Sequence, residues 1–191
     1  MGKSIRKYIL WTFLALPAIY IVILYAREGM SYGDVLNQTG LWSATFLLPA
    51  LAATPFRRLF PKAMWPRKLM YHRRALGVAT FGYAALHTGA YIQRNWGGKV
   101  ILKEAQGADL LTGWIAVFIF LIMALTSNNL AVKKLGPRWQ SLHRLVYLAT
   151  ALVFAHWFIL GLPRGGLSIF GRCVADRSFT LCQAQALGGG S

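Results

Sequence analysis

The chain has 191 residues, of which 56% are hydrophobic and only 14% are charged, and its formal net charge is +16. This composition is too apolar for an ordinary soluble domain, and several apolar runs approach the roughly 20 residues that a membrane helix needs. Nucleic acid is not an expected partner, because the basic residues follow the distribution typical of a membrane protein.

The predicted elements are five apolar spans in one all-α integral membrane domain, residues 1–162. In chain order they are Tyr8–Ala26, Leu41–Pro55, Arg73–Ile92, Leu110–Ser127 and Gln140–Leu162. No small-residue cleavage site follows the first run, so we interpret it as a retained helix and not as a signal peptide. Pro49 and Pro55 shorten the second span. We therefore expect a multi-pass bundle of about five transmembrane helices.

Three connecting segments are predicted from their composition. Arg27–Thr39 is polar and contains two glycines, so it is predicted to be an external loop. Thr54–Lys68 is predicted to be a basic loop, because its three prolines prevent one regular helix. Asn128–Arg138 is predicted to be a short basic loop.

The charges predict the orientation of the bundle. Fourteen of the 21 basic residues fall on the side that holds the N-terminus: Lys3, Arg6, Lys7, Arg57, Arg58, Lys62, Arg67, Lys68, Arg73, Arg74, Lys133, Lys134, Arg138 and Arg144. All five acidic residues fall in the opposite segments. The positive-inside rule therefore places the N-terminus in the cytoplasm. Anionic membrane lipids are the expected partners of the basic segments.

The C-terminal tail, residues 163–191, is expected outside, where disulfides persist. A bridge between its Cys173 and Cys182 and a pair of unpaired thiols are both compatible with the spacing. Residues 188–191, with the sequence GGGS, resemble a linker remnant.

The four histidines are the candidate functional residues, because an ionisable residue within a membrane span is by default a functional hypothesis. A helix rises about 1.5 Å per residue, so His87 and His156 lie at similar depth toward the outer face. His72 and His143 both lie at the cytoplasmic end. We therefore predict that His87 and His156 bind the iron of a haem between the third and fifth spans, and that His143 and His72 bind a second one.

Each ligand assignment has an alternative. The 13-residue step from His143 to His156 turns about 140° around an ideal helix, so both can face one cleft only if the helix is distorted. His72 is predicted at the end of its helix, where it could instead be an interfacial charge. Arg73, Arg74 and Arg144 could bind haem propionates or lipid phosphates.

Four stretches, residues 39–61, 73–92, 111–129 and 133–157, resemble a known family in their order and spacing. It is the haem-binding membrane subunit of the bacterial periplasmic methionine sulfoxide reductase system (the MsrQ type), within the ferric-reductase-like transmembrane superfamily. The resemblance implies a b-type haem protein of the bacterial inner membrane with one or two haems. A flavin (FMN) is an additional candidate cofactor.

The resemblance also implies partners and ligands. Electrons would come from a cytoplasmic flavin reductase or the quinone pool and pass to a periplasmic molybdenum-containing methionine sulfoxide reductase. His87 and His156 match the outer haem ligands and His143 an inner ligand, whereas His72 is one residue early for its partner. The chain also departs from the family because its tail is too short and too polar for a sixth helix.

Two other functions are compatible with the sequence. The first is a stand-alone transmembrane oxidoreductase that acts on ferric iron, superoxide or quinone. The second is a haem-free membrane scaffold, which would show no haem absorption after purification.

Overall fold

The computed structural model describes residues 3–94 and 108–161, and every regular element within those ranges is an α-helix. The helices are α1 (Lys3–Ala26), α2 (Tyr32–Leu59), α3 (Met64–Arg94), α4 (Ala108–Leu125), α5 (Asn129–Leu135), α6 (Pro137–His143) and α7 (Leu145–Gly161). The all-α prediction is therefore confirmed for this part of the chain. The segment 95–107 and the tail with Cys173 and Cys182 lie outside the described residues.

Two helical stretches, Lys7–Ala26 and Pro137–Leu160, are each long and apolar enough to cross a membrane. A third candidate span results if α4 and α5, which are bent by 95° at their junction, are taken together. α2 and α3 have 28 and 31 residues but are less apolar than α1, α4 and α7. Many apolar side chains on the outside of the bundle are exposed, which is typical of a surface that contacts lipid.

The interior consists of two apolar clusters that share α2 and α3. The first joins these helices to α4 and α7 through Leu47, Ala84, Ile119, Phe120, Val146 and Ala149. The second joins them to α1 through Leu14, Phe46, Ala79 and Tyr83. α2 packs on α3 and α4 packs on α7, and the two pairs meet mainly between α3 and α4, while α1 contacts α2 and α3.

Next to Pro17, the backbone of α1 is hydrogen-bonded to a side chain of α3. In a regular helix the Ala18 amide would donate to the Leu14 carbonyl. Here the Tyr83 hydroxyl of α3 lies between them, accepting from Ala18 N at 2.9 Å and donating to Leu14 O at 2.8 Å. An inserted side chain next to a proline is a known cause of helix distortion, and in this molecule it also ties α1 to α3.

The prediction of an external loop over Arg27–Thr39 is wrong, because α2 begins at Tyr32. Ser31 and Asp34 form a capping box at this point. The Ser31 hydroxyl accepts from Asp34 N at 3.2 Å, and the Asp34 carboxylate accepts from Ser31 N at 3.2 Å. The cap satisfies backbone donors at the helix start, and the connection between α1 and α2 contains only residues 27–31.

The helix that contains the second predicted span is longer than that span, because α2 continues through both of its internal prolines to Leu59. The prediction of a loop over Thr54–Lys68 is wrong for most of its length: the stretch is not one helix, but the interruption covers only residues 60–63. Arg57 and Arg67 both donate to the Pro61 carbonyl, at 2.6 and 3.2 Å, and so close this turn. Pro66 lies in the first turn of α3, where a missing backbone N–H is tolerated.

Two further boundary predictions are corrected. Asn128–Arg138 is not a loop, because the Asn128 side chain accepts from Ala131 N at 2.8 Å and caps the short helix α5. His72 does not end its helix, because α3 begins eight residues earlier at Met64. Arg144, the single residue between α6 and α7, keeps near-helical dihedral angles (φ −70°, ψ −21°), and Pro137–Leu160 forms one candidate span.

Candidate functional site

The structure brings His87 of α3 and His156 of α7 together. Their ring centroids are 6.5 Å apart, and their ring planes cross at 86°. His87 is half-buried, as is His156. The two histidines singled out for similar depth thus face each other across one gap between helices.

A contact from α2 fixes the orientation of the His87 ring. Its Nδ1 lies 2.9 Å from the Leu36 carbonyl oxygen and 3.4 Å from the Thr39 hydroxyl. Since a carbonyl oxygen can only accept, this network assigns the proton to Nδ1 and the lone pair to Nε2. Histidines that bind metals commonly donate their other ring N–H to a carbonyl or carboxylate in this way.

Glycines allow both rings to approach the neighbouring helices. A Cβ atom at Gly40 of α2 would lie 3.4 Å from His87 Nδ1. A Cβ atom at Gly113 of α4 would lie 3.0 Å from His156 Cε1 and 3.1 Å from its Nδ1. Neither glycine is distinctive in the sequence, although each follows a threonine, in the pairs Thr39–Gly40 and Thr112–Gly113.

The His87–His156 pair fits a haem better than a bare metal ion. Two imidazoles on opposite sides of one metal, with bonds of about 2.1 Å, have centroids roughly 6 Å apart, close to the separation seen here. Within the described ranges, no group of three or more His, Cys, Asp or Glu side chains is placed to hold a metal ion. A haem needs only axial ligands from the protein, because the macrocycle supplies the other four.

A cavity of about 460 Å³ lies at the other end of the bundle. Its lining includes His143 and all three arginines predicted to bind propionates, Arg73, Arg74 and Arg144, and no acidic residue. Apolar side chains complete it, among them Leu47, Ala50, Phe120, Met123 and Val146. An apolar cavity with arginines and no carboxylate suits a largely apolar ligand that carries anionic groups.

His143 has defined contacts beside this cavity. Its ring stacks on Trp139 with centroids 4.0 Å apart, and its Nε2 lies 3.1 Å from the Thr126 hydroxyl. Arg73 donates to Thr54 at 3.3 Å, and Arg74 donates to Asn129 at 2.8 Å. Neutral oxygens hold both guanidinium groups, so their charges are not neutralised by these contacts.

The structure does not bring His72 to this cavity. From α3, the lining residues are Met70, Arg73, Arg74, Gly77 and Thr80, which share one face of the helix. At about 100° per residue, His72 lies roughly 140° around the axis from the centre of that face. Its ring instead contacts Tyr71 edge-on, at 5.0 Å between centroids.

Comparison with known proteins gives one family and a consistent set of relatives. The family described as ferric reductase like transmembrane component matches residues 39–154. The protein-methionine-sulfoxide reductase heme-binding subunit MsrQ of Brucella ovis is 33% identical over 160 residues, which cover 81% of this chain and 70% of that protein. The protein of the same name from Brucella anthropi is also 33% identical, over 78% of this chain and 70% of its own length. No solved structure matches the chain.

Proposed function

The chain belongs to the ferric reductase like transmembrane family and is of the MsrQ type, and from this membership we propose that it passes electrons across the bacterial inner membrane through haem b. The donor is a cytoplasmic flavin reductase or the quinone pool. The acceptor is a periplasmic molybdenum-containing methionine sulfoxide reductase, and this chain is its electron-transfer subunit. The observation that carries the proposal is the separation of His87 and His156, with ring centroids 6.5 Å apart.

We propose that His87 and His156 hold the outer haem from opposite sides. The Leu36 carbonyl contact on Nδ1 directs the His87 Nε2 lone pair away from α2, toward the gap between the rings. Such a contact also increases the donor strength of the imidazole, which is one way a protein tunes a bound metal. When bound, the haem supplies reversible one-electron chemistry, while the helices supply ligands and an apolar surrounding.

The cavity at the other end is the proposed inner site. His143 is its axial ligand, and Arg73, Arg74 and Arg144 bind the propionates of a haem or the phosphate of an FMN. His143 must exchange its contact with Thr126 for the bound group. Because His72 lies on another face of α3, it would supply a second ligand only if the first turns of that helix rotated.

We propose five membrane crossings with the N-terminus in the cytoplasm. The charges at the two ends of the bundle support this orientation. Arg73, Arg74 and Arg144 gather around the inner cavity. Asp34 lies at the start of α2, the opposite end of that helix from Arg57 and Arg58. The positive-inside rule places the arginine-rich end in the cytoplasm.

The test of the proposal is the haem content of the purified protein, measured by the pyridine haemochrome assay. We expect one haem per chain if only the outer site is filled and two if both are. His87→Ala and His156→Ala should each lose the outer haem, because a bis-histidine site cannot keep its six-coordinate iron with one ligand.

His72→Ala is the matched control, since it removes the same side chain from a position off both sites. It should keep the haem content of the parent protein. A purified chain without Soret absorption would contradict the proposal, as would an unchanged reduced spectrum in the His156→Ala protein.

A further inference from the structure

Each of the two outer histidines lies against a glycine of a neighbouring helix, and the two contacts differ in tightness. A Cβ atom at Gly40 would lie 3.4 Å from His87 Nδ1, at the short limit of van der Waals contact, so the ring would have to give slightly. A Cβ atom at Gly113 would lie only 3.0 Å from His156 Cε1, so a methyl group there would force the His156 ring to move. The backbone of α4 therefore forms a wall that limits the rotation of His156.

The other ring is held by a hydrogen bond. His87 Nδ1 is bound to the Leu36 carbonyl at 2.9 Å, and Thr39, which is 1% exposed, packs beside it. α2 thus contacts the His87 ring and α4 the His156 ring, and the two ring planes cross at 86°.

We infer that Gly113, together with Gly40 on the opposite side, is a positioning residue that keeps the two imidazole planes crossed when they bind the haem. This inference rests on the proposed outer haem. It goes further because it assigns the relative orientation of the ligands to two glycines that do not contact the iron.

The orientation has a spectroscopic consequence. In a low-spin ferric haem, two d orbitals of similar energy π-bond with the axial imidazoles. Crossed planes act on both orbitals alike, so they stay close in energy and the electron paramagnetic resonance (EPR) spectrum is strongly anisotropic. Parallel planes separate the orbitals and give a rhombic spectrum. The angle between the two imidazole planes can therefore be inferred from the EPR spectrum of the oxidised protein, without an assay of activity.

The experiment compares single glycine substitutions in the full chain. We expect the parent protein to show a strongly anisotropic low-spin signal that is absent from the His156→Ala protein, which assigns it to the outer site. Gly113→Ala should shift the largest g value of this signal downward, toward a rhombic spectrum. Gly40→Ala should shift it less, in keeping with the looser contact. Gly82→Ala is the control, because a Cβ there meets no atom within 4 Å.

The outcomes separate the inference from the proposed function. A parent protein without haem would overturn the proposed function. A haem-loaded parent with a rhombic signal, or a Gly113→Ala protein with the parent spectrum, would overturn the inference alone. If Gly113→Ala does not retain haem, Gly40→Ala decides: a shifted signal supports the inference, and an unchanged one overturns it.

Discussion

Tyr83 shows how one side chain can hold a helix that has few other contacts. Its hydroxyl accepts a hydrogen bond from Ala18 N and donates one to Leu14 O, two groups that pair with each other in a regular helix. The ring is 3% exposed and packs against Phe46 and Trp42, with centroids 5.3 and 6.4 Å away. His87 follows Tyr83 by one turn of α3. The Tyr83 contacts therefore hold α1 against α3 close to this candidate haem ligand.

We predict that Tyr83→Phe destabilises the protein by about 1–3 kcal/mol, because it removes the side-chain partner of a buried carbonyl and of a half-buried amide. The measurement is thermal or denaturant unfolding in detergent. Tyr71→Phe is the control, since Tyr71 is 81% exposed and such substitutions usually change stability by less than about 0.5 kcal/mol. Equal stability of the two variants would show that the hydroxyl contacts contribute nothing.

The histidines could be predicted from the sequence, but their surroundings could not. His87 and His156 are conspicuous because ionisable residues are rare within apolar spans, and the helix rise alone indicates their similar depth. Gly40 and Gly113 carry no such signal. Their importance depends on which helix faces which ring, and that follows from packing between distant segments. The position of His72 within α3 could not be predicted either, because α3 begins at Met64, inside a stretch whose prolines indicate a loop.

At the scale of elements, the local chemistry of helix ends decided the boundaries. The apolar runs located every long helix, yet α2 extends beyond its apolar part at both ends. At its start the polar residues Ser31 and Asp34 cap the helix, although their polarity alone suggests a loop. At its end the helix passes Pro55 and stops only at Leu59. Proline and polar residues therefore bias these boundaries without fixing them.

We predict that Ser31→Ala lowers the free energy of unfolding by about 1 kcal/mol, the usual cost of removing a good N-cap. The expected cause is loss of the bond to Asp34 N, which is 3.2 Å long in the structure. Ser31→Asn is the matched control, because asparagine caps helices as well as serine does. If the cap stabilises the protein, the free energy of unfolding should fall in the Ser31→Ala protein and not in the Ser31→Asn protein. Equal decreases in the two proteins would contradict the assignment.

At the scale of the whole molecule, the two candidate sites lie at opposite ends of one helical bundle. His87 and His156 approach each other near the start of α2, whereas His143 and the arginines surround a cavity near its end. At about 1.5 Å per residue, the 13 residues from His143 to His156 correspond to roughly 20 Å along the helix. Sites so placed provide a route between the two faces of a membrane, which is what the proposed electron transfer requires.

Electron transfer from a cytoplasmic donor requires the arginine-rich end of the bundle to face the cytoplasm. Cysteine labelling can test this orientation. The chain has two cysteines, both in the segment 163–191, so replacing them with serine gives a background without thiols. Arg27→Cys and Lys62→Cys then place single exposed thiols in the turns at opposite ends of α2.

In intact spheroplasts, a membrane-impermeant maleimide should label position 27 and not position 62. After the membrane is broken, both positions should react, which is the control for accessibility. The reverse pattern in intact cells would place the inner cavity outside and would rule out a cytoplasmic donor for it.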